Sequence, residues 1–526
     1  MAAESSYAEM VAALCRADAY PHAADDVVHI QTHISDVFLA GGYAYKVKKP
    51  VNFGFLDFTT RAKRLQACED EVRLNTRLAP EVYLGVATIH ACGGRYYIAD
   101  MDDAAGDIVD YAVRMIRLPE AGRLDRVAAR GELTREHMID IARRLARFHA
   151  EAVRGPEVGR YAGPQEIAER VRQNFAQIHP YIDRSITSAQ FDRLRDYVEA
   201  FLKENAALFA ARIVHKRSVD GHGDLHLKNM CLHQGRVVIF DCIEFNAAFR
   251  CGDAIGDIAF LTMDLDARGL SRLGNVFLNA YLEQTQDYAG LALLDFYQAY
   301  RACVRGKVIS FLLAGSAGAG QQAALLREAA GYFAVAQRYV AREAAGLLIT
   351  CGVSGSGKTT AAGLAADILD GVVVRSDTVR KHLSGVALAP RRAVGYAQGI
   401  YSPRATDLTY ETLLTHARAI IAAGRWAILD ATYAEAGRRQ AAAQAARSLG
   451  VPFTILYCRA PRAELERRLE QRRARGTDLS DADSTVLREQ LRRFQAPGPE
   501  EGRLLVWSGG EDLANGLAPL VLKKSA

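Results

Sequence analysis

The sequence predicts a chain of mixed α/β and α+β class: a small sheet with one helix, then a larger helical part, then a doubly wound parallel sheet. Three observations predict it. Short strand-like runs crowd the chain up to Ile116, with one helical stretch among them. From Thr134 the apolar residues fall at helical spacing. After Leu347, apolar strand runs alternate with helical stretches, which implies a parallel sheet with helices on both faces. At 526 residues the chain also exceeds what one hydrophobic core usually organises, so two or three domains are expected.

Taken in order, residues 1–24 form a helical extension. Strands are expected at Val37–Leu39, Tyr43–Val47, Tyr97–Ala99 and Val113–Ile116, with a helix around Gln66–Leu78 between them. Met138, Ile141, Leu145 and Phe148 line one face of the next helix. A strand, Arg236–Phe240, leads to Asp241, and from Ala254 to Ala345 the pattern stays helical. Leu347–Thr350 opens the alternation: strand, glycine-rich turn, helix Lys358–Leu369, and strand Val372–Val374. Helix Ala405–Ala423, strand Trp426–Leu429, a further helix and strand Phe453–Tyr457 follow. Domains are therefore expected at 25–345 and 346–526.

Composition narrows the classes. Half the residues are apolar and 24% charged, which is ordinary for a globular protein. No apolar run is long enough to cross a bilayer, and the N-terminus lacks the basic and apolar regions of a signal peptide. Nine cysteines without a Cys-x-x-Cys pair favour reduced, buried thiols in the cytoplasm over a disulfide framework or zinc site. Residues 346–526 carry 25 Lys+Arg against 18 Asp+Glu, so the excess of positive charge lies there and suits polyphosphate or nucleic acid.

Gly352-Val353-Ser354-Gly355-Ser356-Gly357-Lys358-Thr359 fits the G-x-x-x-x-G-K-[ST] pattern of a P-loop, with Thr360 beside it. The glycines let backbone N–H groups and the helix N-terminus face phosphate oxygens. Lys358 is expected to neutralise the β- and γ-phosphates, and Thr359 to ligate Mg²⁺. Asp430 ends a later strand and can hold Mg²⁺, whereas Ala431 stands where a hydrolase would want a Glu to activate water. Transfer to a bound acceptor is therefore favoured over hydrolysis. Asp377 and Arg380 lie one helical turn apart after Val374. Asp377 is expected to accept the acceptor's proton while Arg380 positions it, with a helix cap as the alternative for Asp377. Arg467, Arg468, Arg472, Arg473 and Arg475 form a basic segment ending at Gly476-Thr477 that can close over the transferring phosphate. On the Ser376-Asp377…Arg380 element and this segment, residues 346–526 resemble the P-loop small kinases of AAA type, including gluconate kinases, polynucleotide 5′-kinases and zeta-toxin kinases.

The second motif is His222-Gly223-Asp224-Leu225-His226-Leu227-Lys228-Asn229. It shares His, Asp, Leu and Asn spacing with the H-R-D-L-x-x-x-N loop of kinases. Asp224 would take the acceptor's proton, and Asn229 and Asp241 would hold the metal. Lys46, on the Tyr43–Val47 strand, is the expected phosphate-pairing lysine, with Lys48 on the same face as the alternative and Glu71 as its partner. Glu244, Asp253 and Asp257 are read as structural, pairing with Arg250 or capping a helix. His149, His215 and His233 are read as structural or exposed. These residues resemble the aminoglycoside phosphotransferase family with its choline and homoserine kinase relatives, in which His-Gly-Asp replaces His-Arg-Asp. The resemblance implies a two-lobed protein-kinase-like fold over residues 25–345, with Met115–Pro119 as the adenine-reading hinge. Only Gly41-Gly42 stands where a G-x-G-x-x-G loop would be.

The whole chain thus looks like kinases that fuse an aminoglycoside-phosphotransferase-like domain to a P-loop kinase domain. That resemblance implies a bifunctional phosphotransferase using ATP and Mg²⁺ on small hydroxylated acceptors, with no membrane partner. One alternative is a nucleic-acid 5′-hydroxyl kinase, against which stand the modest charge and the lack of basic stretches interleaved with aromatics. Another is a regulator in which one domain binds nucleotide without catalysis and gates the other.

Overall fold

The computed structural model describes residues 2–54, 56–99, 106–315, 318–340, 346–386, 402–475, 484–510 and 513–521, without the side chains of 2–5, 314–315, 472–475 and 484–486. The chain forms two compact units: Met1–Phe175 with Glu199–Asp264, and Ala176–Val198 with Leu265–Ala526.

The first unit begins with helix Ala2–Leu14 and a six-stranded antiparallel sheet. Its strands are β1 (Val27–Gln31), β2 (Ser35–Ala40), β3 (Tyr43–Lys48), β4 (Tyr83–Cys92), β5 (Arg95–Ala99) and β6 (Asp107–Ile116), in the order β1-β2-β3-β6-β4-β5. Period-two alternation divides β3 between two surroundings. Tyr45 and Val47 join Phe38, Ile89, Ile98, Met10 and Leu14 in one core, so the N-terminal helix is part of this packing. Lys46 and Lys48 fall on the other face. Gly41 and Gly42 close the β2–β3 hairpin in a two-residue turn, and Gly41 takes φ 55°, where a Cβ would stand 2.7 Å from the Ala23 carbonyl oxygen.

Helix Arg61–Asn75 is started by Thr60, whose side chain accepts from the Lys63 amide. Its buried residues, Arg64, Ala67, Cys68, Glu71, Leu74 and Asn75, recur at three- and four-residue spacing. Arg64 is anchored on Asp110 of β6 at 2.8 Å. Helix Arg135–Glu151, with Thr134 and His137 in a reciprocal cap, buries Met138, Ile141, Leu145 and Phe148 as the spacing predicts. Four short strands follow: β7 (Ser218–Asp220), β8 (Met230–His233), β9 (Arg236–Ile239) and β10 (Cys251–Asp253). β7 pairs with β10 and β8 with β9, both antiparallel. The His222–Asn229 loop joins β7 to β8, and Asp241 lies just past β9.

The second unit holds helices Ser271–Thr285, Leu294–Phe311 and Ala319–Val340 together with a five-stranded parallel sheet. Its strands are β11 (Leu347–Cys351), β12 (Val372–Arg375), β13 (Ala427–Asp430), β14 (Phe453–Cys458) and β15 (Arg503–Trp507), in the order β12-β13-β11-β14-β15. β11 is central and buried along its whole length, as a strand covered on both faces requires. The doubly wound sheet is the class the alternation predicts. β15, half exposed at an edge, carries too few buried residues to announce itself in the sequence.

Cys15 and Cys92 are exposed, and the other seven cysteines are buried free thiols. Among the described residues no helix is long and apolar enough to cross a membrane.

Candidate active sites

In the first unit, strand β3 and helix Arg61–Asn75 bring their charges together over the Asp241 loop. Lys46 Nζ donates to Glu71 Oε1 at 2.9 Å and to Asp241 Oδ1 at 2.7 Å. Lys48, two residues on, donates to Glu71 Oε2 at 2.5 Å and also to Glu244. Both lysines therefore reach Glu71, but only Lys46 reaches Asp241, while Lys48 has no exposed surface. Of the two structural roles open to Glu244, pairing with Arg250 or capping a helix, its carboxylate takes neither: it holds Lys48, while Arg250 donates to Asp220 at 2.8 Å and reaches Glu244 at its backbone carbonyl, 3.5 Å away.

Burial opposes the charged forms throughout this cluster, and the partners decide the outcome. Burial pulls Lys46 toward neutrality, yet Asp241 and Glu71 hold its ammonium well above the ordinary lysine range. Burial likewise pushes the Glu71 carboxyl up, and Lys46 with Lys48 brings it below the ordinary range. Glu244 ends higher than usual, because burial outweighs Lys48 there. Asp241 adopts φ 63°, a left-handed conformation that short polar residues tolerate. Its amide donates to the Tyr83 hydroxyl at 3.1 Å, and the next amide, of Cys242, donates to Asn75 Oδ1 at 2.8 Å.

The His222–Asn229 loop is held from within and from below. Asn229 Nδ2 donates to Asp224 Oδ2 at 2.9 Å and to the Asp224 carbonyl at 3.0 Å, while His226 Nε2 lies 3.2 Å from the same carboxylate. The Phe240 amide donates to the Asn229 carbonyl at 3.0 Å, which ties the loop to the residue before Asp241. Asp257 accepts from the amides of His222 at 2.7 Å and Gly223 at 2.8 Å, and pairs with buried His149 at 3.3 Å. Burial keeps the His222 imidazole more neutral than usual, which suits a ring whose Nδ1 accepts from the Asp224 amide while Nε2 faces the Phe240 carbonyl. Asp253 pairs with Arg212, within 2.8 Å at Oδ1. For Glu244 and Asp257, read as structural, and for Lys48, read as the alternative to Lys46, sequence reasoning missed the partners: Lys48 with Glu244, and the His222 and Gly223 amides and His149 with Asp257. Their acid and base character was visible, but their partners lie far away in the chain.

In the second unit the turn after β11 takes the conformation its glycines permit. Gly352, Gly355 and Gly357 have φ of 144°, 83° and 93°. A Cβ on Gly352 would meet the Cys458 carbonyl oxygen at 2.5 Å, and one on Gly357 would meet Trp507 at 2.9 Å. Lys358 Nζ donates to the Val353 carbonyl at 2.9 Å. Ser356 Oγ is buried without a hydrogen-bond partner, an atom left for an incoming acceptor or donor. The Ser354 amide donates to Gln490 Oε1 at 2.7 Å, and Thr360 is exposed on the first turn of helix Lys358–Leu369.

Thr359 Oγ1 donates to Asp430 Oδ2 at 2.7 Å, so the hydroxyl and carboxylate expected to share a metal stand together. Arg375 Nε lies 3.8 Å from the same oxygen, and Thr350 Oγ1 lies 3.4 Å from Asp430 Oδ1. Asp377 is half-buried in helix Ser376–Leu383, whose start has no side-chain cap hydrogen bond. Burial raises its carboxyl above the ordinary range, against the opposing pull of Arg375. Arg380 is buried and its Nη1 donates to Thr406 Oγ1 at 3.1 Å. From the basic helix Arg462–Arg475, Arg468 donates to the Gly355 carbonyl at 3.2 Å and to Glu464 at 2.6 Å, whereas Arg467 is exposed and pairs with Glu464. The side chains of Arg472, Arg473 and Arg475 lie outside the described residues, as do Gly476 and Thr477.

Comparison with known proteins covers nearly the whole chain. Residues 54–294 match the model of the phosphotransferase enzyme family, and residues 347–497 match that of an AAA domain. Uncharacterized proteins of Mycobacterium tuberculosis and Mycobacterium bovis are 30% identical over 491 residues, spanning 92% of this chain and 95% of theirs. Among solved structures, a choline/ethanolamine kinase family protein from Mesorhizobium loti is similar at 12% identity and TM-score 0.37, over 63% of this chain and 99% of that one. A gluconokinase from Sinorhizobium meliloti is similar at 17% identity and TM-score 0.24, over 34% of this chain and 95% of that one.

Proposed function

We propose, on the premise that this chain belongs to the family in which a phosphotransferase-type domain precedes an AAA-type P-loop kinase domain, that both halves transfer the γ-phosphoryl group of ATP to hydroxyl groups of small molecules. The observation that carries the reading is the placement of Lys46 between Glu71 and Asp241 at 2.9 and 2.7 Å, matched in the other unit by the Thr359–Asp430 contact at 2.7 Å. Each set pairs a hard oxygen donor with a nearby cation-bearing or phosphate-facing element, as nucleotide transfer requires.

The donor sets fit Mg²⁺. Asn229 and Asp241 offer amide and carboxylate oxygens in one site, and Thr359 and Asp430 offer hydroxyl and carboxylate in the other. When bound, Mg²⁺ supplies charge that neutralises the phosphate oxygens. In the first site Lys46 leaves Asp241 for the phosphates while Glu71 keeps it aimed. Asp224, steadied by Asn229, accepts the proton of the acceptor hydroxyl. In the second, the glycine turn, Ser356 and Lys358 cradle the phosphates, Arg468 stands over the turn, and Asp377 takes the acceptor's proton with Arg380 beside it. The seven buried thiols support a reducing compartment, the cytoplasm.

The test is ³²P transfer from γ-labelled ATP to hydroxylated metabolites, nucleosides and oligonucleotides by the full chain, Asp224→Asn, Lys358→Ala and the double variant. Each single variant should lose a different subset of products, and the double variant all of them. Transfer surviving in the double variant refutes the assignment. A second reading, nucleotide binding without transfer in the first unit, is favoured by the two-residue Gly41–Gly42 turn and by the closure of Lys46 on Asp241. It predicts nucleotide binding that Asp241→Asn abolishes, and a product profile that Asp224→Asn leaves unchanged.

A further inference from the structure

Helix Ser271–Thr285 lies within the stretch matched by the phosphotransferase model, yet it packs in the same compact unit as the P-loop sheet. β12 is an edge strand of that sheet, and an edge leaves backbone groups without a strand partner. This helix meets them with side chains. Asn279 Oδ1 accepts from the Val373 amide at 2.7 Å, and its Nδ2 donates to the Gly371 carbonyl at 3.1 Å. Asn275 donates to the Ala366 carbonyl at 2.9 Å, at the end of helix Lys358–Leu369.

One turn beyond Asn279 on this face is Glu283. Its Oε1 accepts from Arg375 Nη1 at 3.0 Å and from Thr378 Oγ1 at 3.0 Å. Arg375 is the last residue of β12, and its Nε lies 3.8 Å from Asp430 Oδ2. The guanidinium thus spans two carboxylates, one at the expected metal position and one on a helix more than ninety residues earlier. Thr378 lies in the first turn of the helix that carries Asp377 and Arg380, so the same carboxylate holds that turn as well.

We propose that Glu283 is a positioning residue for the P-loop site: it draws Arg375 away from Asp430 and so keeps that carboxylate available to Mg²⁺. The inference rests on the P-loop reading above. Without Glu283, Arg375 keeps its charge and turns to the carboxylates that remain beside it, Asp377, on whose carboxyl it already acts, and Asp430, 3.8 Å away, where it competes with a cation for the same oxygen. Neutralising Arg375 as well removes the competitor.

The experiment measures binding of mant-ATP to the full chain as Mg²⁺ is titrated, in an Asp241→Asn background that removes the first unit's metal ligand. Glu283→Gln keeps the size and an acceptor for Thr378, and should raise the half-saturating Mg²⁺ concentration about three- to tenfold, the effect of one partly screened charge. The pair Glu283→Gln with Arg375→Gln should return it to within about twofold of the starting protein. Asn279→Ala, which removes the strand cover and no charge, should lower the melting temperature and leave the Mg²⁺ midpoint in place. An unchanged midpoint in Glu283→Gln, or no recovery in the pair, overturns the proposal and makes Glu283 a packing residue. If Lys358→Ala leaves mant-ATP binding intact, the P-loop reading itself fails and this inference falls with it.

Discussion

Replacing Asp257 by Asn tests whether the His222–Asn229 loop is held by one buried carboxylate. Asp257 is 4% exposed and accepts from two consecutive backbone amides, those of His222 and Gly223. Burial pushes its carboxyl up, but the hydrogen bond and charge of His149, followed by the His222 amide, bring it down to about 2 from the ordinary 3.8. A carboxyl lowered on folding contributes stability above its unfolded pKa and loses it as pH falls through its folded one. The contribution is about 2 kcal/mol at neutral pH and falls to about half of that near pH 3. An independent route gives the same size. Asn offers one acceptor oxygen, so one buried N–H goes unmet at a cost of about 1–3 kcal/mol. The two figures describe overlapping contacts and do not add, so Asp257→Asn should destabilise the first unit by about 2–3 kcal/mol at pH 7 and by visibly less near pH 3. Both tryptophans, Trp426 and Trp507, belong to the second unit, so tryptophan emission would miss the change. Urea unfolding followed by circular dichroism, with hydrogen exchange read on the peptide 218–229, reports on the right place. Equal midpoints and equal protection of that peptide in wild type and variant would refute the argument.

Three further outcomes follow from the same geometry. Lys48→Met should destabilise the first unit by about 3–5 kcal/mol, since it strands Glu244 among buried groups, whereas Lys46→Met should cost less stability and lose nucleotide affinity; urea midpoints and calorimetric titration with Mg²⁺·ATP in a Lys358→Ala background separate the two. Asp377→Asn should slow transfer by about 10²–10⁴-fold with nucleotide affinity retained. Because burial raises the Asp377 carboxyl, the acid limb of its kcat/KM profile should lie above the ordinary aspartate range and vanish in the variant. A raised carboxyl opposes folding once ionised, so the same variant should not lower the melting temperature at pH 7; a fall with unchanged kinetics would make Asp377 a structural residue.

Most of the architecture was legible because it rests on local pattern. Helix Lys358–Leu369 and the burial of Met138, Ile141, Leu145 and Phe148 follow from spacing alone, and the parallel sheet follows from alternation. β15 was not legible: a half-exposed edge strand leaves no clean period. The partners of Glu244 were not legible either, since nearness in sequence pointed to Arg250 while the sheet delivered Lys48 from nearly two hundred residues away.

By itself the sequence determined which residue types recur at which spacings: a glycine-rich turn ahead of Lys358, and a His-Gly-Asp loop ahead of Asp241. Short-range sterics and hydrogen bonding suffice for these, because each motif is built from neighbours along the chain. Only the tertiary structure decided which lysine meets Asp241, that Asp257 carries the loop's amides, and that Asn279 and Glu283 complete the edge and the charge balance of a sheet beginning far downstream. Those contacts depend on where distant elements pack, and packing is set by the buried faces of whole helices and strands, which no single motif contains.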